Sequence, residues 1–527
     1  MRVLRGSFLG LALGAGAAAV QAAGLPDTLA QLRTAHGGAA WDKVDWLRMD
    51  ADETVDALRG KASLVVDRAT GQFVRRTDFR IYRVADGIDG PGRWRQDSSR
   101  GFHPLDSNEA RAVAASESWL NRRGYLDRRD HASWTDAGSA IEEGVALDKL
   151  EATPPGGRAV TLWIDQRTHL VQRAEMQWSN CRFVQRYDGY RANGKLVLPA
   201  RIATSCEGNG DDSVLDHAVW SVPARGERKA FARPDYPDDA RIAGGAASAT
   251  MPIEVGARGI VVRATIDGKG PYPFILDTGA MAILSKRAAD KLGIKGAGAG
   301  GIAGVGGSIQ TEIANVRDVK MGAAGMRDIP FLIHEMPKRA TDGGEEVAGF
   351  LGLELFERFA VRLDMPNRQM TLTPLAGYQN GPARGEQLPL RFTEDVPLVA
   401  ATIDGHTGDS MVDTGNLSRL TVLGAFARRT GVDKAFEGGK QVPARGGTGA
   451  TAMHIEGKVA RLELGRQVYE QVPAHVAYDE EGPLSSRSEA ANLPLSLLKE
   501  FDVTFDYKHQ LMTIAPSHPI EKGASGG

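Results

Sequence analysis

Alternating apolar and polar side chains predict strands at Lys61–Val66 and Arg158–Ile164, within a first segment that reads as β-rich from residue 23 to about 240. Helical spacing appears near Thr28–His36, and again over Glu109–Arg123, where Ala112, Ala115, Trp119 and Leu120 would share one face. Pro234–Thr250, with Gly244-Gly245-Ala246-Ala247-Ser248-Ala249, reads as a linker centred on 241–250. After it the pattern occurs twice, over 251–380 and 385–516. Each copy runs through an apolar strand, a short helix (Ser285–Leu292; Gly424–Thr430) stopped by Gly293 or Gly431, and a Gly-rich hairpin. A Gly-turn-strand follows (321–333; 464–476), then a helix and a strand pair closing on Leu363-Asp364 or Phe505-Asp506.

The repeat holds by register. Phe350–Leu372 aligns without gaps onto Asn492–Ile514 at an offset of 142, with identities at Leu351/Leu493, Phe359/Phe501, Asp364/Asp506 and Met370/Met512. A period this long means duplicated domains rather than a solenoid. The apolar runs Phe274-Ile275-Leu276 and Met411-Val412 each end in the same tripeptide, Asp277-Thr278-Gly279 and Asp413-Thr414-Gly415. The same pentapeptide, Ala264–Gly268 and Ala401–Gly405, precedes both.

Composition adds the compartment. Arg2 and Arg5 precede an apolar stretch, Phe8–Val20, too short to span a bilayer, and Val20-Gln21-Ala22 fits a small-x-small cleavage site. Residues 1–22 therefore read as a secretory signal and the location as periplasmic, with no stable membrane insertion once the signal is gone. Its removal takes two arginines and no acid, moving the net charge from −2 to −4, a balance that argues against nucleic acid as a partner. The two cysteines flank the hairpin signal Asn193-Gly194. A turn centred there would set Cys181 directly opposite Cys206, in a non-hydrogen-bonded pair close enough for a structural disulfide.

Three patterns carry no chemistry. Gly296-Ala297-Gly298-Ala299-Gly300-Gly301 spells G-x-G-x-x-G but follows a helix and opens none. Ser496-Leu497-Leu498-Lys499 spells S-x-x-K but aligns with a helical turn of the first copy. The eleven histidines are scattered, with surface positions as the default and no metal or cofactor site implied.

Two Asp-Thr-Gly loops inside a duplicated unit resemble the retropepsin-like aspartic peptidases, specifically the bacterial exported aspartyl protease family. The resemblance covers 251–516. It implies a mostly β protein: an N-terminal curved antiparallel sheet with helices, then two pseudo-symmetric acid-protease lobes on one chain. No second copy is then needed, and the protein is expected to be a monomer acting on a peptide or protein substrate. Asp277 and Asp413 would be the catalytic pair. Thr278 and Thr414 would lock the loops to each other, and Gly279 and Gly415 would let backbone N–H groups reach the carboxylates. By the same resemblance Gly296–Gly307 and Gly438–Gly449 are flaps, with Gly304, Gly306, Gly307, Gly446 and Gly447 over the substrate.

Departures sit in the second copy. Asn416 stands where the first has Ala280, and Pro494 where it has Gly352, which points to damage in that lobe. A pseudo-peptidase that binds peptide, lipid or lipoprotein without cleaving is the alternative reading. Trp163–Ile202, with the N-terminal helix, is similar to the lipoprotein-carrier half-barrels of the bacterial envelope. A cut at 244–250 would release the peptidase from an inhibitory N-terminal domain. Ala280, lacking a hydroxyl beside its Asp, points to a mildly acidic optimum.

Overall fold

The computed structural model describes residues 24–90, 92–207, 212–223, 231–256, 259–297, 299–304, 307–379, 385–446, 451–480 and 482–517. The expected signal, Gly306 and Gly447 lie outside them. The protein is mostly β. Its N-terminal part is one antiparallel sheet of thirteen strands, from Phe102–Leu105 at one edge to Ser133–Glu142 at the other, with Trp46–Val55 against Ser213–Ser221 in the middle. Helices Leu25–Ala35 and Asn108–Asn121 cover one face. There Leu32, Trp119 and Leu120 pack with Leu64, Val66, Leu162 and Ile164. The Ser107 hydroxyl accepts from Ala110 N at 3.0 Å and fixes the start of the second helix. Its buried residues are Glu109, Val113, Ala114, Ser116, Trp119 and Leu120, while Ala112 and Ala115 are half-buried. The predicted stripe was therefore off by one residue over its first turns.

Cys181 and Cys206 form a disulfide with Cα atoms 5.5 Å apart. The register behind it differs from expectation. The turn lies at Gly194-Lys195, because Asn193 pairs with Leu196 and Ala192 with Val197. Phe183 is consequently opposite Cys206, and Cys181 reaches across the ladder from just before strand Arg182–Asp188.

The repeated halves give a nine-stranded and an eight-stranded sheet, joined by a six-stranded sheet shared between them. In the shared sheet Phe359–Asp364 pairs antiparallel with Phe501–Asp506, setting Arg362 opposite Thr504. Those two positions differ by the repeat offset of 142, so the pseudo-two-fold axis passes through this pair. The helices end as predicted, at Gly293 (φ 75°) and Gly431 (φ 79°).

The stretch read as a linker is tied down at both ends. Arg241 and Ile242 pair with Gly325 and Ala324, and Ala249–Pro252 pairs with Gln369–Leu372. The N-terminal sheet is also anchored to both lobes. Asp106 accepts from Phe392 N at 3.0 Å and from Gln510 Nε2 at 2.7 Å. Arg358, fully buried, holds Asp239 at 3.0 Å and donates to Ser99 O.

Candidate active site

Strand Lys269–Leu276 ends in three residues with no more than 1% exposure, Phe274, Ile275 and Leu276, and runs parallel to Gly349–Leu351. Asp277 N donates to Leu351 O at 3.0 Å, which fixes where the first Asp-Thr-Gly loop leaves the sheet. The second copy repeats this arrangement: His406–Asp413 runs parallel to Ala491–Pro494. The pseudo-two-fold then brings the loops face to face.

Their threonines interlock. Thr278 Oγ1 donates to Val412 O at 2.6 Å and accepts from Thr414 N at 3.0 Å. Thr414 Oγ1 donates to Leu276 O at 3.0 Å and accepts from Thr278 N at 3.0 Å. Both side chains are fully buried. Each hydroxyl thus pairs with one carbonyl and one N–H of the other loop, so both buried hydroxyls and both threonine N–H groups are satisfied. Gly415 is required by close approach, since a Cβ there would collide with the Asp277 carboxylate. Gly279 has more room, with the nearest Asp413 atoms at 3.4 Å.

The two carboxylates face each other across the junction: a Cβ on Gly279 would lie 3.4 Å from oxygens of both, and each carboxyl perturbs the other's acidity. Both keep some contact with solvent between the lobes. Protein crowds around them, however, and loss of hydration raises both above the usual carboxylate range. Asp277 is pushed up to about 8, by burial first and by the Asp413 charge second. The environments are unequal. Asp277 Oδ1 accepts from Gly279 N at 2.9 Å. Asp413 accepts from Gly415 N at 2.9 Å, Asn416 N at 3.0 Å and Asn492 Nδ2 at 2.7 Å. Three donors favour the ionised form of Asp413, so a proton shared by the pair resides on Asp277.

Asn492 is the site residue that sequence reasoning missed. It occupies the position of Phe350 in the first copy, and a polar side chain in a slot that is otherwise apolar was the available signal. The Asn416 side chain does not reach the carboxylate directly. Its Nδ2 donates to Asn492 Oδ1 at 2.7 Å and so orients the amide that does. Pro494 is accommodated rather than disruptive. At Gly352 a side chain would strike the carbonyls of Ala280 and Asp277. The backbone takes another course at Pro494 (φ −78°, ψ 158°), and Leu495 N still donates to Asn416 O at 3.0 Å. The counterpart bond in the first lobe is Leu353 N to Ala280 O, 2.8 Å.

Gly304 pairs with Gly307 at the end of hairpin Ala299–Gly304/Gly307–Met321, and Gly446 follows strand Gln441–Arg445. Several histidines are not on the surface: His36, His103, His334, His454 and His475 are all buried. His103 explains why sequence could not show this. Its Nδ1 meets Glu357 at 2.7 Å, and its Nε2 has an ionic contact with Asp395 at 3.1 Å that lacks hydrogen-bond alignment. Those partners are some 250 and 290 residues away along the chain.

Residues 262–355 match the aspartyl protease family. The matched span holds Asp277 and ends at Leu355, before Asp413. No curated protein matches the chain. Among solved structures, an aspartic proteinase from Irpex lacteus is 13% identical and covers 51% of this chain and 98% of its own, with TM-score 0.35. A retropepsin-like aspartic protease from Rickettsia conorii is 18% identical, covering 27% and 98%, TM-score 0.20. A LolA superfamily protein from Nitrosomonas europaea is 16% identical, covering 40% and 97%, TM-score 0.28. Each is a distant likeness, and the site is read from its own geometry.

Proposed function

We propose that the protein is an aspartic endopeptidase in which Asp413 is the general base and Asp277 the protonated partner. The observation that carries this is the pair itself: two carboxylates facing each other at the junction of the lobes, with unequal donor sets. A water between them gives a proton to Asp413 as its oxygen attacks the scissile carbonyl carbon, while Asp277 protonates the carbonyl oxygen. The tetrahedral diol then collapses. The C–N bond breaks, the amine leaves with a proton from the Asp413 carboxyl, and a diol hydroxyl returns the other to Asp277. No covalent intermediate and no cofactor enter these steps. One chain supplies both aspartates, so a monomer suffices. The N-terminal segment and the Cys181–Cys206 disulfide support an exported, periplasmic protein.

The test is incubation of residues 23–527 with a mixed peptide library over pH 3 to 8, with new termini identified by mass spectrometry. Cleavage at internal bonds supports the reading. Peptide capture by folded protein with no new termini would favour a binding protein of the envelope instead.

A further inference from the structure

Two turns of the N-terminal sheet reach into the first lobe. Leu58 opens strand Leu58–Asp67 after the turn from Trp46–Val55, and Phe79 lies in the turn between Phe73–Asp78 and Arg83–Asp89. They are 8% and 7% exposed, yet neither belongs to the core of its own domain. They are buried in a separate apolar cluster with Ile275, Ile283, Leu332 and Phe350 of the first lobe. Ala280 and Met281, which directly follow Asp277-Thr278-Gly279, pack against the same cluster.

This cluster lies on the side of the lobe that carries the catalytic carboxylate. Along an extended strand side chains alternate. Phe274 and Leu276 enter the lobe core, so Ile275 faces the other way, and Asp277, two positions on, falls on its side. The pseudo-two-fold gives the same answer. Phe350 is the counterpart of Asn492, whose amide touches Asp413, so Phe350 stands beside Asp277. In the second lobe the corresponding face, with Met411 and Leu423, is covered by Leu484 of that lobe's own loop. In the first lobe the cover comes from the N-terminal domain.

We infer that the N-terminal domain holds the chain latent: Leu58 and Phe79 occupy the apolar wall beside Asp277 where a substrate side chain must lie, and their withdrawal opens the cleft. This rests on the peptidase reading for its consequence, though not for its geometry. The cover is held firmly. Gly60 lets the strands close, since a Cβ there would strike the Phe79 ring and Asp78 O. The bonds from Arg358 to Ser99 O, His103 to Glu357 and Phe392 N to Asp106 pin the same sheet. Burial of two large apolar side chains favours the closed form, so opening needs a competing ligand, a cut or a change in these anchors.

The experiment uses the full mature chain. Both native cysteines are in the disulfide, so Ile283→Cys introduces the sole free thiol inside the covered wall. Its rate of reaction with a maleimide probe is compared with and without Leu58→Ser/Phe79→Ser, beside cleavage of the peptide library. At least tenfold faster labelling and tenfold faster cleavage are expected in the double variant. Faster labelling with no cleavage by any form would keep the occlusion and sink the peptidase reading. Labelling within twofold of the parent, in folded protein, would overturn the occlusion. Should the double variant fail to fold, Phe79→Leu is the milder change, with an intermediate acceleration expected and no acceleration counting against the inference.

Discussion

The Asn492 amide donates to the Asp413 carboxylate at 2.7 Å, and Phe350, its counterpart in the first lobe, can give Asp277 nothing of the kind. One substitution between two copies of a duplicated unit thereby gives two chemically identical aspartates unequal surroundings. A hydrogen bond to a charged group contributes about 1.5–3 kcal/mol, or roughly one to two pH units in the acidity of its acceptor. Asn492→Leu should therefore raise the pH at which Asp413 ionises. The acid limb of the kcat/KM profile should move up by about one to two units, while Asn492→Asp, a second negative charge, should abolish the profile. An acid limb that stays in place in Asn492→Leu would show that this amide does not set the base.

The threonine interlock makes a stability prediction. Thr278→Val keeps the shape but leaves Val412 O and Thr414 N unpaired in a fully buried place. That should cost about 2–4 kcal/mol, read as a lower urea midpoint with an unchanged slope. Thr278→Ser, which keeps the hydroxyl, should lose about 1 kcal/mol or less. Equal losses in the two variants would mean that the methyl group, and not the hydrogen bonds, carries the effect.

Asp277 ties stability to pH. Its carboxyl ionises at about 8 in the folded protein and near 4 in an unfolded chain. Between those values the folded state holds a proton that the unfolded state has lost, so stability from this group is complete below about pH 4 and is lost as pH rises through 8. Asp277→Asn removes that loss. The difference in Tm between variant and parent should move in favour of the variant from pH 4 to pH 8. A constant or reversed difference would contradict the raised carboxyl.

The disulfide closes a loop between residues 25 apart in sequence. Cys181→Ala/Cys206→Ala should destabilise the N-terminal domain by about 3 kcal/mol, measured by chemical denaturation under non-reducing conditions. The buried Thr278–Thr414 junction should keep the lobes folded at denaturant levels that open this domain in the variant.

The duplicated lobes were legible because the repeat is in register: an offset of 142 recurs as the Arg362–Thr504 pairing on the pseudo-two-fold. The aspartates, threonines and glycines of the two loops followed from one tripeptide occurring twice. Asn492 is a mismatch with Phe350 in the repeat, and that mismatch is itself the signal of a polar group at the site. Pro494 would be damaging on the backbone of Gly352 (φ −150°, ψ −116°), but its own backbone differs (φ −78°, ψ 158°). The cysteine pairing was right while its register was wrong, since Asn193-Gly194 suggested a turn one residue earlier than Gly194-Lys195. Nothing in sequence indicated that Leu58 and Phe79 would serve another domain. Both sit at turns, and which surface a turn meets is decided by tertiary packing alone.

The most direct test compares peptide-cleavage rates of the mature protein, Asp277→Asn and Asp413→Asn, each in the parent and in the Leu58→Ser/Phe79→Ser background so that a covered cleft is not mistaken for an inert one. Cleavage that falls at least a thousandfold in both Asn variants is expected. Cleavage that survives in either variant, or that is absent from every folded form, would contradict a shared-proton pair of Asp277 and Asp413.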